Sequence, residues 1–451
     1  LNHTKGKILL DARSMGIKGI SIDSRCLNRG DLFIAIKGRN YDGHDFVIDA
    51  LRKGASCAVL DYRKRRRVLR HLGKSKYCII AVPDTIRALG DLARFHRSRF
   101  DIPVIAITGS CGKTTTKEMI GNVLDRDWRI LKNVGTQNNS IGVPLTIFKL
   151  HERHGCLIVE LGMNRIGEIK SLAEMSRPNI AVLTNVGPSH LEYLGSIRTI
   201  YKAKRELLDY LGYGDTAILN YDDKYLTKFR KKGIRIVGFS IERKSDFQAV
   251  ALRRTKDGWG FKVKDRLYLV KSPAYHDVYN SLAAISIGHL FNVKPFYIEK
   301  AISHYEARDK RMDVKNFKGI RLIDDTYNAN PMSLESAIVT LSNCKTRGKK
   351  ILVAGDMLEL GSQSRYYHAR IGGLIARSDI DEFIAVGSSI RESWKRAVDV
   401  GMKNSYFYNS KEEATSLLKS IARPNDIILV KGSRAMEMEE LIRCFTTSST
   451  P

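Results

Sequence analysis

The stretch Thr108-Gly109-Ser110-Cys111-Gly112-Lys113-Thr114-Thr115 follows the apolar run VIAI and precedes a helical pattern, KEMIGNVL. Each residue type has a use there. Glycines let a backbone approach a ligand closely, amides at a helix N-terminus attract phosphate oxygens, lysine reaches β- and γ-phosphates, and a threonine hydroxyl can ligate magnesium. The loop departs from G-x-x-x-x-G-K-[ST] at its first position, where Ile107 stands. An ordinary strand-to-helix turn is the alternative, but Gly-Lys-Thr falls in the structural context that phosphate binding requires, and ATP is the natural ligand. Glu160 ends the run LIVE and His190 follows AVLTNV in Asn185-Val186-Gly187-Pro188-Ser189-His190. A glutamate at a strand end is by itself equally a surface group, whereas polar side chains at successive strand ends suit magnesium-assisted phosphoryl chemistry.

The elements that must hold these residues are legible in the periodicity. Residues 1 to about 100 read as a small mixed α/β block with strands at 31–38, 57–60 and 77–82 and a helix at 46–53. From Pro103, strands at 157–162, 181–186 and 216–220 alternate with helical stretches, which implies a mainly parallel sheet covered on both faces. Residues 234–270 read as short antiparallel strands with a turn at Asp257-Gly258, before the helical NSLAAISIGHLF. A second doubly wound block starts near Ala307, with strands at 320–325, 350–356, 382–387 and 426–433. The expected division is therefore 1–100, 101–306 and 307–451, an α/β protein of three domains.

Composition narrows the class. Of 451 residues, 43% are hydrophobic and 27% charged, so each domain can bury a core of its own. No run is long enough to span a membrane, and LNHTKGKILL lacks the apolar core and cleavage site of a signal peptide, from which a cytoplasmic protein is expected. Seven cysteines, at 26, 57, 78, 111, 156, 344 and 444, form no C-x-x-C pair, so most are expected to be buried and reduced rather than bridged or zinc-bound. The net charge of +28 suits anionic ligands. The basic runs at 63–67 and 228–232 carry no aromatic interleaving, so nucleic acid is not expected as the partner, while Arg63 to Arg67 suggest contact with an anionic membrane surface.

The sequence resembles the ATP-dependent Mur ligases, relatives of folylpolyglutamate synthetase, over nearly its whole length. The family's shortened phosphate loop, T-G-x-x-G-K-[ST]-[ST], matches residues 108–115. Further matches are Ile22-Asp23-Ser24-Arg25, LFIAIKGRNYDGHDF, TQNNSIGVPLT, Glu160-Leu161-Gly162-Met163-Asn164, NVGPSHLEYLGS, Ala203-Lys204-Arg205-Glu206 and NSLAA. In the third block, Asp324-Asp325-Thr326-Tyr327-Asn328-Ala329-Asn330-Pro331, GDMLELG and KGSRAMEMEEL resemble the member that adds D-alanyl-D-alanine to UDP-N-acetylmuramoyl tripeptide.

The resemblance implies a UDP-binding first domain, a central ATPase domain and a Rossmann-like third domain. It implies amide formation through an acyl phosphate in peptidoglycan precursor synthesis, hence a part in cell-wall biogenesis, cell shape and division, by a monomer. Lys113 would neutralise the transferring phosphoryl group; Thr114, Glu160, His190 and a carbamylated Lys204 would hold two magnesium ions. Asn280, Arg311 and Asp325 would hold the rest of the nucleotide. Ser24 and Arg25 would meet the UDP pyrophosphate, Asn138 and Asn139 the sugar-peptide, and Tyr327, Asn328 and Asn330 the dipeptide. Within the family the alternatives are the ligase adding the third amino acid and a folylpolyglutamate synthetase-like enzyme. Outside it they are a basic ATPase that binds nucleic acid and a non-catalytic UDP-sugar-binding protein.

Overall fold

The computed structural model describes residues 4, 6–10, 16–38, 40–72, 77–307 and 309–447, leaving Arg39 of the LFIAIKGRNYDGHDF stretch and Arg308 outside. In chain order the first block forms β1 (Lys7–Leu10), β2 (Gly19–Ser21), β3 (Asp31–Ile34), α1 (Val47–Arg52), β4 (Cys57–Asp61), α2 (Arg65–Leu69), β5 (Cys78–Val82) and α3 (Thr85–Arg97). There follow β6 (Val104–Thr108), α4 (Lys113–Leu124), β7 (Ile130–Lys132), α5 (Gly142–Ile147), β8 (Cys156–Glu160), α6 (Glu168–Ser176), β9 (Ile180–Leu183), α7 (Leu191–Leu194) and α8 (Ile197–Tyr210). Next come β10 (Thr216–Asn220), β11 (Arg235–Ser240), β12 (Phe247–Arg254), β13 (Trp259–Val263), β14 (Arg266–Val270), α9 (His276–Leu290) and α10 (Pro295–Ser303). The last block is β15 (Asp313–Phe317), β16 (Ile320–Asp325), α11 (Pro331–Ser342), β17 (Lys350–Gly355), α12 (Ser364–Ala376), β18 (Glu382–Val386), α13 (Arg391–Asp399), β19 (Ser405–Tyr408), α14 (Lys411–Ile421), β20 (Ile427–Lys431) and α15 (Glu439–Thr446).

The chain divides into two compact units. The first holds Leu1–Ala106, Trp128–Gly162 and Glu168–Asn179. Its five-stranded sheet has the order β1-β5-β4-β3-β2, parallel except for β1. Alternating residues feed two apolar layers, Phe33, Leu60 and Ile79 on one face with Val47 and Leu51 of α1, and Leu32, Ile34 and Val59 on the other with Leu89 of α3. The Asp84 side chain caps α3 by accepting from the Ile86 and Arg87 amides. At the other end of α3, Arg97 donates to the carbonyls of Ser176, Phe100 and Ile102, which fixes the exit of the chain toward β6. Strands β7 and β8 pair in parallel.

The second unit holds Ile107–Asp127, Met163–Gly167 and Ile180–Pro451. Here β9, β10 and β11 run parallel, and β12, β13 and β14 form an antiparallel meander. Helices α4 and α9 lie side by side. The C-terminal sheet has the order β15-β16-β20-β17-β18-β19, parallel from β16 to β19 and antiparallel at its β15 edge. One face packs on α14 and α15 through Ile351, Val353, Ile384, Ile428 and Val430 against Leu418, Leu441 and Phe445. The intervening residues are buried as well, which is why these strands read as unbroken apolar runs.

Three expectations need correction. Strand β11 is parallel to β10 and meets β12 in parallel at Phe239 and Ser240, because a crossover from 221 to 234 returns it in the same direction. Reversal begins only at the Asp257-Gly258 turn, where Thr255 donates its amide to Gly258 O at 2.9 Å. Residues 313–317, ahead of the first strand expected in this block at 320–325, form a strand of their own, β15, closed onto β16 by Lys318 and Gly319 at φ 48° and 79°. The cysteines are all free, but only Cys57, Cys156 and Cys344 are buried, and Cys26 and Cys444 are exposed. Among the described residues no helix is long and apolar enough to cross a membrane. The basic run at 63–67 is largely matched: Arg63 pairs with Asp61, Lys64 with Asp42 and Arg67 with Asp45, while Arg65 stacks on Tyr62.

In the C-terminal sheet domain, α12 crosses α13 at Gly372, where a side chain would run into the carbonyl of Ser393. Gly372→Ala should therefore destabilise this domain by about 1–3 kcal/mol, read as a lowered urea midpoint.

Candidate active site

The phosphate loop is held by a second loop. Ser110 donates its amide to Asn185 O at 3.1 Å, and Cys111 donates its amide to Asn185 Oδ1 at 2.8 Å. Asn185 Nδ2 and Thr184 Oγ1 both donate to Cys111 O, at 3.2 and 2.5 Å. The Ser110 hydroxyl donates to Gly187 O and accepts from Gly187 N, each at 2.9 Å. The loop after β6 and the loop after β9 thus form one hydrogen-bonded body. The glycines are sterically required. A side chain at Gly109 would strike Thr184 Oγ1, and one at Gly112 would strike Asn280 Oδ1, with Gly112 also at φ 81° as it caps α4. Lys113, the first residue of α4, curls back so that Nζ donates to Gly109 O at 2.9 Å. The helix N-terminus and this ammonium together make an anion cradle.

Residues from three other elements converge on the start of α4. Thr116 Oγ1 donates to Asn280 Oδ1 at 3.1 Å, and Asn280 Nδ2 donates to Asp277 Oδ1 at 2.8 Å, all three residues being buried. Arg311 Nη2 donates to Thr114 Oγ1 at 3.0 Å, and its guanidinium lies 3.6 Å from the centroid of the Tyr327 ring. The neighbouring Lys310 is drawn away by Glu439 at 2.7 Å, which also pairs with Arg434. Burial raises the Glu439 carboxyl, but the hydrogen bonds from Lys310, the backbone and Arg434 outweigh it and leave its pKa at about 2. Asp325, at the end of β16, accepts from Lys431 Nζ at 2.6 Å across the parallel pairing with β20. Asn328 Oδ1 accepts from the Ala329 and Arg434 amides. Asn330 caps α11 in a reciprocal box with Ser333, and it also touches the phosphate loop, donating to Ser110 O at 3.4 Å and accepting from the Cys111 thiol at 3.3 Å.

Two basic groups behave differently. His190, at φ 54°, sets Nδ1 2.6 Å from Glu359 Oε2. Lys204, on α8, is buried and has no hydrogen bond or ion pair among the described residues. Burial pushes its ammonium pKa well below the ordinary lysine range, and the Lys113 cation adds to the shift. Burial raises the nearby Cys111 thiol. No three His, Cys, Asp or Glu side chains gather to hold a metal ion among the described residues.

The remaining expected residues belong to the other unit. Glu160, at the end of β8, is buried and accepts from Asn138 Nδ2 at 2.8 Å, while Asn133 binds the Glu160 backbone. Asn139 Oδ1 accepts from the Ile141 and Gly142 amides at the start of α5, a capping contact. Ser24 is buried with its carbonyl accepting from Lys53. Arg25 is exposed and forms a two-pronged pair with Asp23, whose carboxyl is held down at about 2 by that bond. Sequence reasoning missed Asn185, Asp277, Glu359, Lys431 and Glu439. Four of them lie inside matched stretches, Asn185 in NVGPSH, Glu359 in GDMLELG, and Lys431 and Glu439 in KGSRAMEMEEL, but only the fold pairs them with their partners.

An α/β chain with a phosphate loop between a buried strand and a helix, joined from a second block by an arginine and an asparagine, defines a nucleotide-dependent enzyme. Residues 107–288 match the Mur ligase middle domain, 310–434 the Mur ligase glutamate ligase domain, and 16–97 the Mur ligase family catalytic domain. The UDP-N-acetylmuramoyl-tripeptide--D-alanyl-D-alanine ligase of Bacillus subtilis is 33% identical over 433 residues, 95% of this chain and 93% of that protein. The Escherichia coli protein of the same name is 32% identical over 450 residues, 98% and 96% of the two chains. Among solved structures, MurF from Acinetobacter baumannii superposes with a TM-score of 0.89 at 29% identity, covering 99% of this chain and 97% of that one. MurF ligase from Thermotoga maritima in complex with ADP gives 0.84 at 26% identity, covering 95% and 97%. The chain belongs to the Mur ligase family and is a ligase that forms carbon–nitrogen bonds.

Because Gly112 has no room for a side chain and sits at positive φ, Gly112→Ala should weaken binding of a fluorescent ATP analogue by about 100-fold or more, the scale of a displaced positioning group. Titration by fluorescence anisotropy checks it.

Proposed function

We propose that this chain joins D-alanyl-D-alanine to the terminal carboxylate of UDP-N-acetylmuramoyl tripeptide, consuming ATP. The observation that carries the nucleotide half is the convergence of Gly112, Lys113, Arg311 and Asn280 at the first turn of α4. The acceptor and donor are supported by the names of relatives that match the chain nearly end to end.

A carboxylate oxygen of the tripeptide attacks the γ-phosphorus of ATP, and ADP leaves. The dipeptide amine then attacks the acyl carbon of the acyl phosphate, and the tetrahedral intermediate expels phosphate as the amine loses its proton. Negative charge on oxygen grows in both steps. Lys113 would follow the transferring phosphoryl group, supported by its place over the loop at Gly109 O, and Arg311 would add a second cation beside Thr114. Thr114, Glu160, His190 and Lys204 are the residues that would hold magnesium, which supplies positive charge to the phosphate oxygens. Lys204 fits this set only if its charge changes sign. Lys204 has no anionic partner among the described residues and burial disfavours its charged form, so its amine would add carbon dioxide and lose a proton to become a carbamate.

In this reading residues 1–100 bind the UDP end, 101–306 bind ATP, and 307–451 bring Arg311 and Asp325 to the nucleotide and receive the dipeptide. Thr108 to Thr115, with Asn280, surround the phosphates and nucleoside. Ser24 and Arg25 meet the pyrophosphate, Arg25 exchanging Asp23 for it. Asn138 and Asn139 flank the sugar-peptide, and Tyr327, Asn328 and Asn330 line the dipeptide end. The enzyme acts as a cytoplasmic monomer.

Phosphate release from magnesium-ATP should require both the UDP-tripeptide and D-alanyl-D-alanine, with the new amide seen by mass, and Lys113→Ala should lower it by about 1000-fold. Release that ignores both substrates but rises with RNA or DNA would overturn the ligase reading. Lys204→Ala should be inactive and regain part of its rate in millimolar short-chain carboxylates, whereas a lysine acting as a cation would be restored by amines instead.

A further inference from the structure

The loop 356–363 is fixed from the C-terminal sheet and lies against α7. Met357 donates its amide to His368 Nε2 at 3.1 Å, and Leu358 donates to Ser433 Oγ at 2.8 Å. Beyond these anchors, Glu359 turns into the left-handed region at φ 61°, as does its partner His190 at φ 54°. A side-chain-bearing residue adopts that conformation only where its surroundings hold it there. Three contacts hold the pair: Glu192 N to Glu359 O at 3.0 Å, Gln363 Nε2 to Gly195 O at 2.9 Å, and Gly361, where a Cβ would sit 3.0 Å from Glu192 Cα. The two strained residues then meet through His190 Nδ1 and Glu359 Oε2 at 2.6 Å.

We infer that Glu359 is a positioning residue for His190, setting from the C-terminal block the imidazole that the central block presents to the metal. This rests on the ligase reading of His190. A carboxylate facing Nδ1 keeps the proton on that nitrogen and leaves the Nε2 lone pair available to a metal. Nε2 has no hydrogen bond among the described residues. His190 lies within the span 107–288 and Glu359 within 310–434, so the ligand is oriented only when the two blocks are docked as they are here.

The test uses the full-length protein loaded with a non-hydrolysable ATP analogue. Mn2+ binding is followed by electron paramagnetic resonance, and the His190 tautomer by 15N-histidine spectra assigned through His190→Ala. Glu359→Ala should weaken Mn2+ binding by about 10–100-fold and move His190 off the Nδ1–H tautomer, with kcat falling while KM for ATP stays within about threefold. Glu359→Gln, which keeps an acceptor without the charge, should fall between the two. Gln363→Ala removes a docking contact remote from the imidazole and should leave Mn2+ binding within about threefold of the unaltered protein. Unchanged Mn2+ affinity and tautomer in Glu359→Ala would overturn the proposal, as would an equal loss in Gln363→Ala, which would mean that Glu359 acts only by docking. Neither readout needs turnover, so failure of the unaltered chain to make the amide counts against the ligase reading alone.

Discussion

Asn185 devotes its whole side chain to Cys111: Oδ1 takes the amide at 2.8 Å and Nδ2 reaches the carbonyl at 3.2 Å. That bidentate tie fixes the peptide planes of the phosphate loop before any ligand arrives. A loop of glycines and small polar residues would otherwise pay a large entropic cost on binding. The same contact ties the loop after β6 to the loop after β9, so the residues following Asn185, including His190, inherit their positions from it. Gly109 and Gly112 follow from the same constraint, since Thr184 and Asn280 occupy the space a side chain would need.

Charge is arranged around the loop with a consistent sense. Lys431 is matched by Asp325 and Lys310 by Glu439, so neither is left to compete for an anion. Among the described residues Lys113 is held by a backbone carbonyl and Arg311 by a hydroxyl and an aromatic face, so neither is neutralised by a carboxylate there. Lys204 stands apart as a buried amine whose charged form is disfavoured.

The C-terminal sheet contributes through its strand ends. Asp325 and Lys431 lie directly opposite each other on β16 and β20, and Asn330 follows as the cap of α11, reaching Ser110 and Cys111. Side chains outside the carboxyl ends of parallel strands are where such sheets bind ligands. Glu359 follows β17 and obeys the same rule, with His190 as its contact.

By itself the sequence determined the local architecture and the candidate chemistry. Buried parallel strands announce themselves as apolar runs, and Gly112-Lys113-Thr114 needs only its neighbours in the chain to be read as a phosphate loop. The direction of β11 and the β15 hairpin were not legible, because an alternating run carries no information on which neighbour it pairs with. Nor was the partnership of Glu359 with His190, 169 residues apart in sequence, or that of Arg311 with Thr114, 197 apart. The depressed pKa of Lys204 was hidden too, since one turn of an amphipathic helix reads the same whether its lysine faces water or protein. Those facts depend on which surfaces meet. The meeting of surfaces is decided by packing across the whole chain, and only the tertiary structure records it.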